Sequence, residues 1–236
     1  NYEYATLLAY MYTGSTPDQT LLQAAKNNQL NSESAVNTQI DRLLQTARGR
    51  ENITEFGANW MRTDDVLKAR RPNNPEFTDD IKNDMAKEVR ELFGYVFFTA
   101  NTSFAQLYSA DYSVINSRLA QYYGVNGFSG GTGDWKATTL PNRGGIIGTG
   151  AFSVGNSQPD RSGPIKKAVD IRELMLCHHI GATPTDLTTT SKREELVKAA
   201  AQREMVTGDL TSREYYEIIT DDPGCASCHE TRINPL

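Results

Sequence analysis

Near the end of the chain, Cys225-Ala226-Ser227-Cys228-His229 places two thiols and an imidazole within one short segment. Thiols at this spacing can act as a redox dithiol, form half of a zinc site, or add across the vinyl groups of a haem as thioethers. The histidine directly after the second cysteine favours the haem. The spacer lets both sulfurs reach one porphyrin edge, and the imidazole then falls under the iron as its proximal ligand. The pattern predicts one covalent haem c, anchored by Cys225 and Cys228, with His229 bound to the metal. Zinc is the alternative: it needs about four protein ligands, and Cys177, Cys225, Cys228 and one histidine could supply them. Asp221-Asp222-Pro223-Gly224 reads as a turn leading into the motif, with Pro223 able to start a short helix.

Only 3 cysteines are present, too few for a disulfide framework. With two of them on haem, Cys177 is left over. It reads as a buried small hydrophobe; the alternative is half of a bond to something outside this chain.

Composition narrows the setting. The 236 residues suit one large or two small domains with a real core. The formal net charge of −5 argues against a nucleic-acid partner, which would favour a basic face. It permits docking to a basic redox partner protein, including other cytochromes. No run approaches the roughly 20 apolar residues of a membrane-spanning helix. Haem c is attached on the non-cytosolic side of a membrane, so a periplasmic or extracellular, cell-surface location is expected. Asn1 to Thr13 reads as helix interior rather than a signal peptide. A leader is therefore expected upstream, and further chain is expected beyond Leu236.

Helices must position the motif. Tyr4, Leu7, Leu8 and Met11 recur at helical spacing. Thr16-Pro17-Asp18 reads as a start with Pro in the first position, followed by Leu21, Leu22 and Ala25. Asn31 or Ser32 can cap a helix with Val36, Ile40, Leu43 and Leu44 on one face. Further helices are predicted from Ile53 to Met61 and, after a breaker at Arg70 to Pro75, from Thr78 to about Thr99. Helical segments follow near Phe104–Leu107 and Val114–Tyr123. From Gly124 the texture changes to Gly and Ser clusters, with one short strand at Trp135 to Leu140. Gly155 to Gly163 reads as a polar loop. Helices are predicted from Pro164 to about His179, from Ser191 to Val206 and from Thr211 to Thr220. The fold class is mainly α, with little or no β: a helical domain over 1–124, then a loop-rich helical haem c module over 125–236.

The order of these segments resembles a bacterial, planctomycete-type pair of families, numbered 1592 and 1588 among the domains of unknown function, found in large c-type cytochromes. Leu7-Leu8-Ala9-Tyr10-Met11-Tyr12 with Pro17-Asp18 and Leu21-Leu22 is similar to the opening "SYFLW…PDDELL". Phe56-Gly57-Ala58-Asn59-Trp60 resembles "FAxxWL". Ala110 to Asn116 with Leu119-Ala120 and Tyr123-Gly124 resembles "ADYTFLNERLAxHYG". In the second module Arg143-Gly144-Gly145-Ile146 resembles "RGGLL", Arg161 to Lys167 resembles "RTSPVKRG", and Cys225 to His229 with Ile233 to Leu236 resembles "CASCHxxMDPLGF". Ile233 stands where the family often has Met. The resemblance implies the haem type and the exported location, and it assigns no reaction. It also puts Arg161 and Lys166 in the family's basic loop, as candidates to hold the haem propionates.

What faces the other side of the iron decides the use of the haem. His178 and His179 are the remaining histidines and candidate distal ligands. At a helix C-terminus, interaction with the helix dipole is their other role. The methionines at 11, 61, 85, 175 and 205 read as core filler. Two axial protein ligands favour electron transfer, the leading expectation. An open position favours a haem enzyme, peroxidase-like or oxygen-activating, in which His178 or His179 serves as the acid-base group. A surface assembly or binding module carrying a haem is the third reading.

Overall fold

The computed structural model describes residues 1–100, 102–181, 190–208, 210–220, 229 and 233, with backbone alone at 190–193 and 207. Cys225, Cys228 and the Asp221–Gly224 turn lie outside the described residues. The chain forms two compact units, one of residues 1–70 and 74–155, the other of residues 71–73 and 156–236.

The first unit begins with four helices: α1 (Tyr2–Thr13), α2 (Gln19–Lys26), α3 (Glu33–Leu44) and α4 (Ala47–Trp60). Short polar side chains start three of them. Asp18, Ser32 and Thr46 accept the backbone N–H groups of Leu21, Ala35 and Gly49, which have no partner within the helix. Asp18 is therefore the N-cap of α2, and Pro17 stands before the helix rather than in its first turn. Ala5, Leu8, Ala9, Leu21, Ala24, Ala25, Leu30 and Leu43 form one buried cluster. Leu7 and Met11 of the apolar α1 pattern face outward instead.

A four-residue helix α5 (Asp65–Lys68) leads to α6 (Asp79–Phe98), the longest element of this unit. Thr78 caps it, and Asp79 and Asp80 in its first turn complement the positive end of the helix dipole. Its buried stripe holds Ile81, Met85, Val89, Leu92, Phe93 and Val96. Each such large apolar side chain removed from water stabilises by about 1.5–3 kcal/mol. Among them, and equally buried, is Glu88.

Next come α7 (Gln106–Ser109), β1 (Tyr112–Ile115), α8 (Ser117–Tyr122), β2 (Lys136–Thr139) and α9 (Gly150–Gly155). β1 and β2 pair antiparallel in register Tyr112↔Thr139 to Ile115↔Lys136. The strand expected at Trp135–Leu140 is present. Residues 114–115 are strand rather than helix, because Ser113, Val114 and Ile115 are all buried and two of them are β-branched. Asn116 then caps α8 by accepting the Leu119 N–H at 2.9 Å. The pairing spans the change of texture at Gly124.

The second unit contains α10 (Pro164–Asp170), α11 (Thr190–Thr207) and α12 (Ser212–Thr220). α10 runs into one π-helical turn, Ile171–Met175, and stops short of the predicted His179. Cys177 takes a left-handed conformation, φ 50°. The His178 N–H then closes back on the Arg172 carbonyl at 2.9 Å, ending the helix. Mainly α is therefore the architecture of the described chain, with one two-stranded sheet. No described helix is long and apolar enough to cross a membrane.

Candidate functional site

α12 owes its start to a capping box, Thr211-Ser212-Arg213-Glu214. The Glu214 carboxylate accepts the Thr211 N–H at 2.9 Å and its hydroxyl at 2.7 Å, and the Thr211 hydroxyl accepts the Glu214 N–H at 3.3 Å. These bonds hold the Glu214 carboxyl below its usual range. With the start set, Arg213, Tyr216, Glu217 and Thr220 fall on one helix face, and that face lines a pocket of about 250 Å³. Pro164 and Ile165 of α10, and Ile233, supply its apolar wall. His229 completes it, half-buried, with Nδ1 shielded from solvent.

α10 can start where it does because Gly163 has no Cβ. A Cβ there would lie 2.1 Å from the Asn156 carbonyl oxygen, so the loop from 156 folds tightly against the helix start. The same loop carries Arg161, whose guanidinium sits 3.8 Å above the Tyr215 ring centroid and 3.7 Å from Asp160. Tyr215 in turn meets Tyr216 edge-on at 5.4 Å. Burial pushes the Tyr216 hydroxyl above its usual range, and the nearby Tyr215 adds to the effect. Arg161 thus reaches the pocket through two aromatic rings. Lys166 is exposed on α10, next to Ile165.

The other expected site residues are placed elsewhere. His178 Nδ1 lies 2.8 Å from an Arg172 guanidinium nitrogen, and His179 Nδ1 lies 3.2 Å from a Glu173 carboxylate oxygen. Both rings are exposed, and neither is among the described residues lining the His229 pocket. Met61 and Met85 are buried core residues, whereas Met11 and Met205 are exposed. Cys177 is exposed rather than buried, because the left-handed turn that ends the preceding helix swings it outward.

Two features escaped the reading of the residues. The α12 face was detectable, since Arg213, Tyr216, Glu217 and Thr220 follow the i, i+3, i+4, i+7 pattern behind a capping box. The other is a fully buried carboxylate in the first unit. Glu88 Oε1 accepts the Ser113 hydroxyl at 2.7 Å, while Oε2 accepts the Tyr123 hydroxyl at 2.7 Å and the Gly150 N–H at 2.9 Å. Arg143 stacks its guanidinium 4.2 Å above the Tyr123 ring centroid. Ser113 and Tyr123 come from one motif of the family resemblance and Arg143 from another, so two motifs meet around one acid.

Neither the curated proteins nor the solved structures yield a match to this chain. Two family models do match. PSD4, a protein of unknown function (DUF1592), matches residues 1–125. PSCyt3, a protein of unknown function (DUF1588), matches residues 143–236, the stretch that carries the basic loop, α12 and the C-x-x-C-H motif. The two matches occur in the order that the motifs required, and the chain belongs to the paired families DUF1592 and DUF1588.

Proposed function

We propose that the protein is an exported c-type cytochrome that transfers electrons. The observation carrying this reading is the C-x-x-C-H motif, whose histidine lines a pocket with an apolar wall and a polar face that bears Arg213 and Glu217. The family label PSCyt3, which abbreviates a cytochrome, supports it. The donor set around His229 fits a haem. Pro164, Ile165 and Ile233 offer an apolar surface to a macrocycle, and Arg213 and Tyr216 offer hydrogen-bond donors to its carboxylates. The enclosed volume is below the ~300–1,000 Å³ of ordinary small-molecule pockets, so these residues receive part of a porphyrin.

In this reading Cys225 and Cys228 would hold the cofactor through thioethers, and His229 would bind its iron. The group supplies a one-electron iron couple when bound. The chain's own residues exclude water from one face, fix the imidazole and balance the carboxylate charge. The net charge of −5 suits docking to a redox protein with a basic surface. Export follows from the chemistry of attachment, which takes place outside the cytosol.

The test is a reduced-minus-oxidised spectrum of protein produced with a haem-attachment system, with and without carbon monoxide. A sharp low-spin spectrum that carbon monoxide leaves unchanged is expected. Rapid carbon monoxide binding with peroxide turnover would instead establish a haem enzyme and overturn the electron-transfer reading.

A further inference from the structure

The α12 face beside His229 is chemically polarised. Arg213 and Glu217 stand one turn apart with opposite charges, and Tyr216 lies between them in sequence. The capping box at Thr211 and Glu214 fixes the register that turns all three toward one pocket. A haem brings two propionate carboxylates, and the planar fork of an arginine matches a carboxylate better than any other side chain. Arg213 is the arginine that lines this pocket among the described residues, whereas Arg161 approaches it only through Tyr215 and Tyr216.

Building on the haem reading above, we propose that α12 is the propionate-binding and potential-setting wall of the site. Arg213 donates to a propionate carboxylate, and the Tyr216 hydroxyl is the second donor. Arg213 and Glu217 then shift the reduction potential in opposite directions. Reduction adds one negative charge at the iron, so a nearby cation favours the reduced state and a nearby anion favours the oxidised state. Arg213 and Glu217 are both exposed, and added salt weakens each effect. Arg161, stacked on Tyr215, is a positioning residue for the Tyr215–Tyr216 pair.

The test uses the haem-loaded full chain and three variants, Arg213→Gln, Arg213→Lys and Glu217→Gln. Midpoint potentials are measured by spectroelectrochemical titration at low and high salt, and haem retention by staining denaturing gels. Arg213→Gln is expected to lower the potential and Glu217→Gln to raise it. Arg213→Lys, which keeps the charge, is expected to stay near wild type. All three are expected to retain covalent haem, and the shifts to shrink at high salt. A merely structural role would not give shifts of opposite sign. Haem-loaded variants whose potentials do not move, or move in the same direction, overturn this proposal alone. A wild type that carries no covalent haem overturns both it and the reading on which it rests.

Discussion

Tyr123 donates its hydroxyl to Glu88 Oε2 across 2.7 Å and so ties the end of α8 to the middle of α6. Ser113 from β1 and the Gly150 N–H at the start of α9 bond to the same carboxyl. One buried acid therefore joins four elements of the first unit. Removing it would leave three buried donors without their acceptor, each costing about 1–3 kcal/mol. Glu88→Ala is expected to destabilise the unit by about 3 kcal/mol or more. Glu88→Gln, which keeps an acceptor for Tyr123 and Gly150, is expected to cost about 1 kcal/mol. Urea unfolding midpoints would check both values.

The same residue gives stability a pH dependence of known sign. Burial raises the Glu88 carboxyl above its usual range, although bonds from Ser113, Gly150 and Tyr123 pull it down. The native state therefore holds this proton more tightly than the unfolded chain does. Its contribution is complete below the ordinary carboxylate range and is lost as pH rises through the raised native value. Stability measured against pH should show this decline in wild type and lose that component in Glu88→Gln. An identical pH profile in the variant would contradict it.

Asp18 is expected to behave in the opposite sense. It caps α2 and accepts two bonds from Arg42, at 2.6 and 2.9 Å. The Arg42 hydrogen bonds hold its carboxyl below the usual range. Its contribution is present above the unfolded value and is lost as pH falls through the lowered native one. Asp18→Ala should cost about 1 kcal/mol at neutral pH through the lost cap. Asp18→Asn, which preserves a capping oxygen, should cost less. Thermal melts at neutral and acidic pH would separate cap from ion pair.

The packing of α4 against α6 offers a matched pair of glycines. A Cβ on Gly57 would lie 2.5 Å from the Phe93 ring, which is fully buried and has little room to move. Gly57→Ala is expected to destabilise by about 1–3 kcal/mol despite the better helix propensity of alanine. On the facing helix, a Cβ on Gly94 would meet only the Thr54 methyl, at 3.4 Å. Gly94→Ala is expected to stabilise by up to about 1 kcal/mol. Melting temperatures moving in opposite directions would confirm the contrast, and equal shifts would refute it.

Much of the helical order was legible because its signals are local. Asp18, Ser32 and Thr78 announce helix starts through side chains that reach only three residues ahead. The second half of β1 reads as helix in the sequence because Val114 and Ile115 are apolar at either period, and only the pairing with β2 decides between them. Glu88 escaped notice since a glutamate on a helix usually faces water. Its position was nevertheless informative: it falls between Met85 and Leu92 on the apolar stripe. The C-x-x-C-H motif needed no fold to be recognised. The pocket around His229 did, because Pro164 and Ile165 are far from Arg213 and Tyr216 in sequence and meet only through the packing of the second unit.

Cys177 provides a simple count of thiols. It is exposed, so a maleimide should label it in the native protein. With Cys225 and Cys228 engaged in thioethers, one thiol is expected in the haem-loaded protein even after denaturation, and none in Cys177→Ser. Three labelled thiols after denaturation would contradict attachment.

The most direct measurement is the mass of the denatured, protease-released peptide that contains Cys225, Cys228 and His229. A peptide carrying a covalently bound haem is expected from wild type and from Cys177→Ala, with loss or marked weakening of retention in Cys228→Ala. An unmodified peptide with two free thiols, from protein produced with a competent haem-attachment system, would contradict the cytochrome reading.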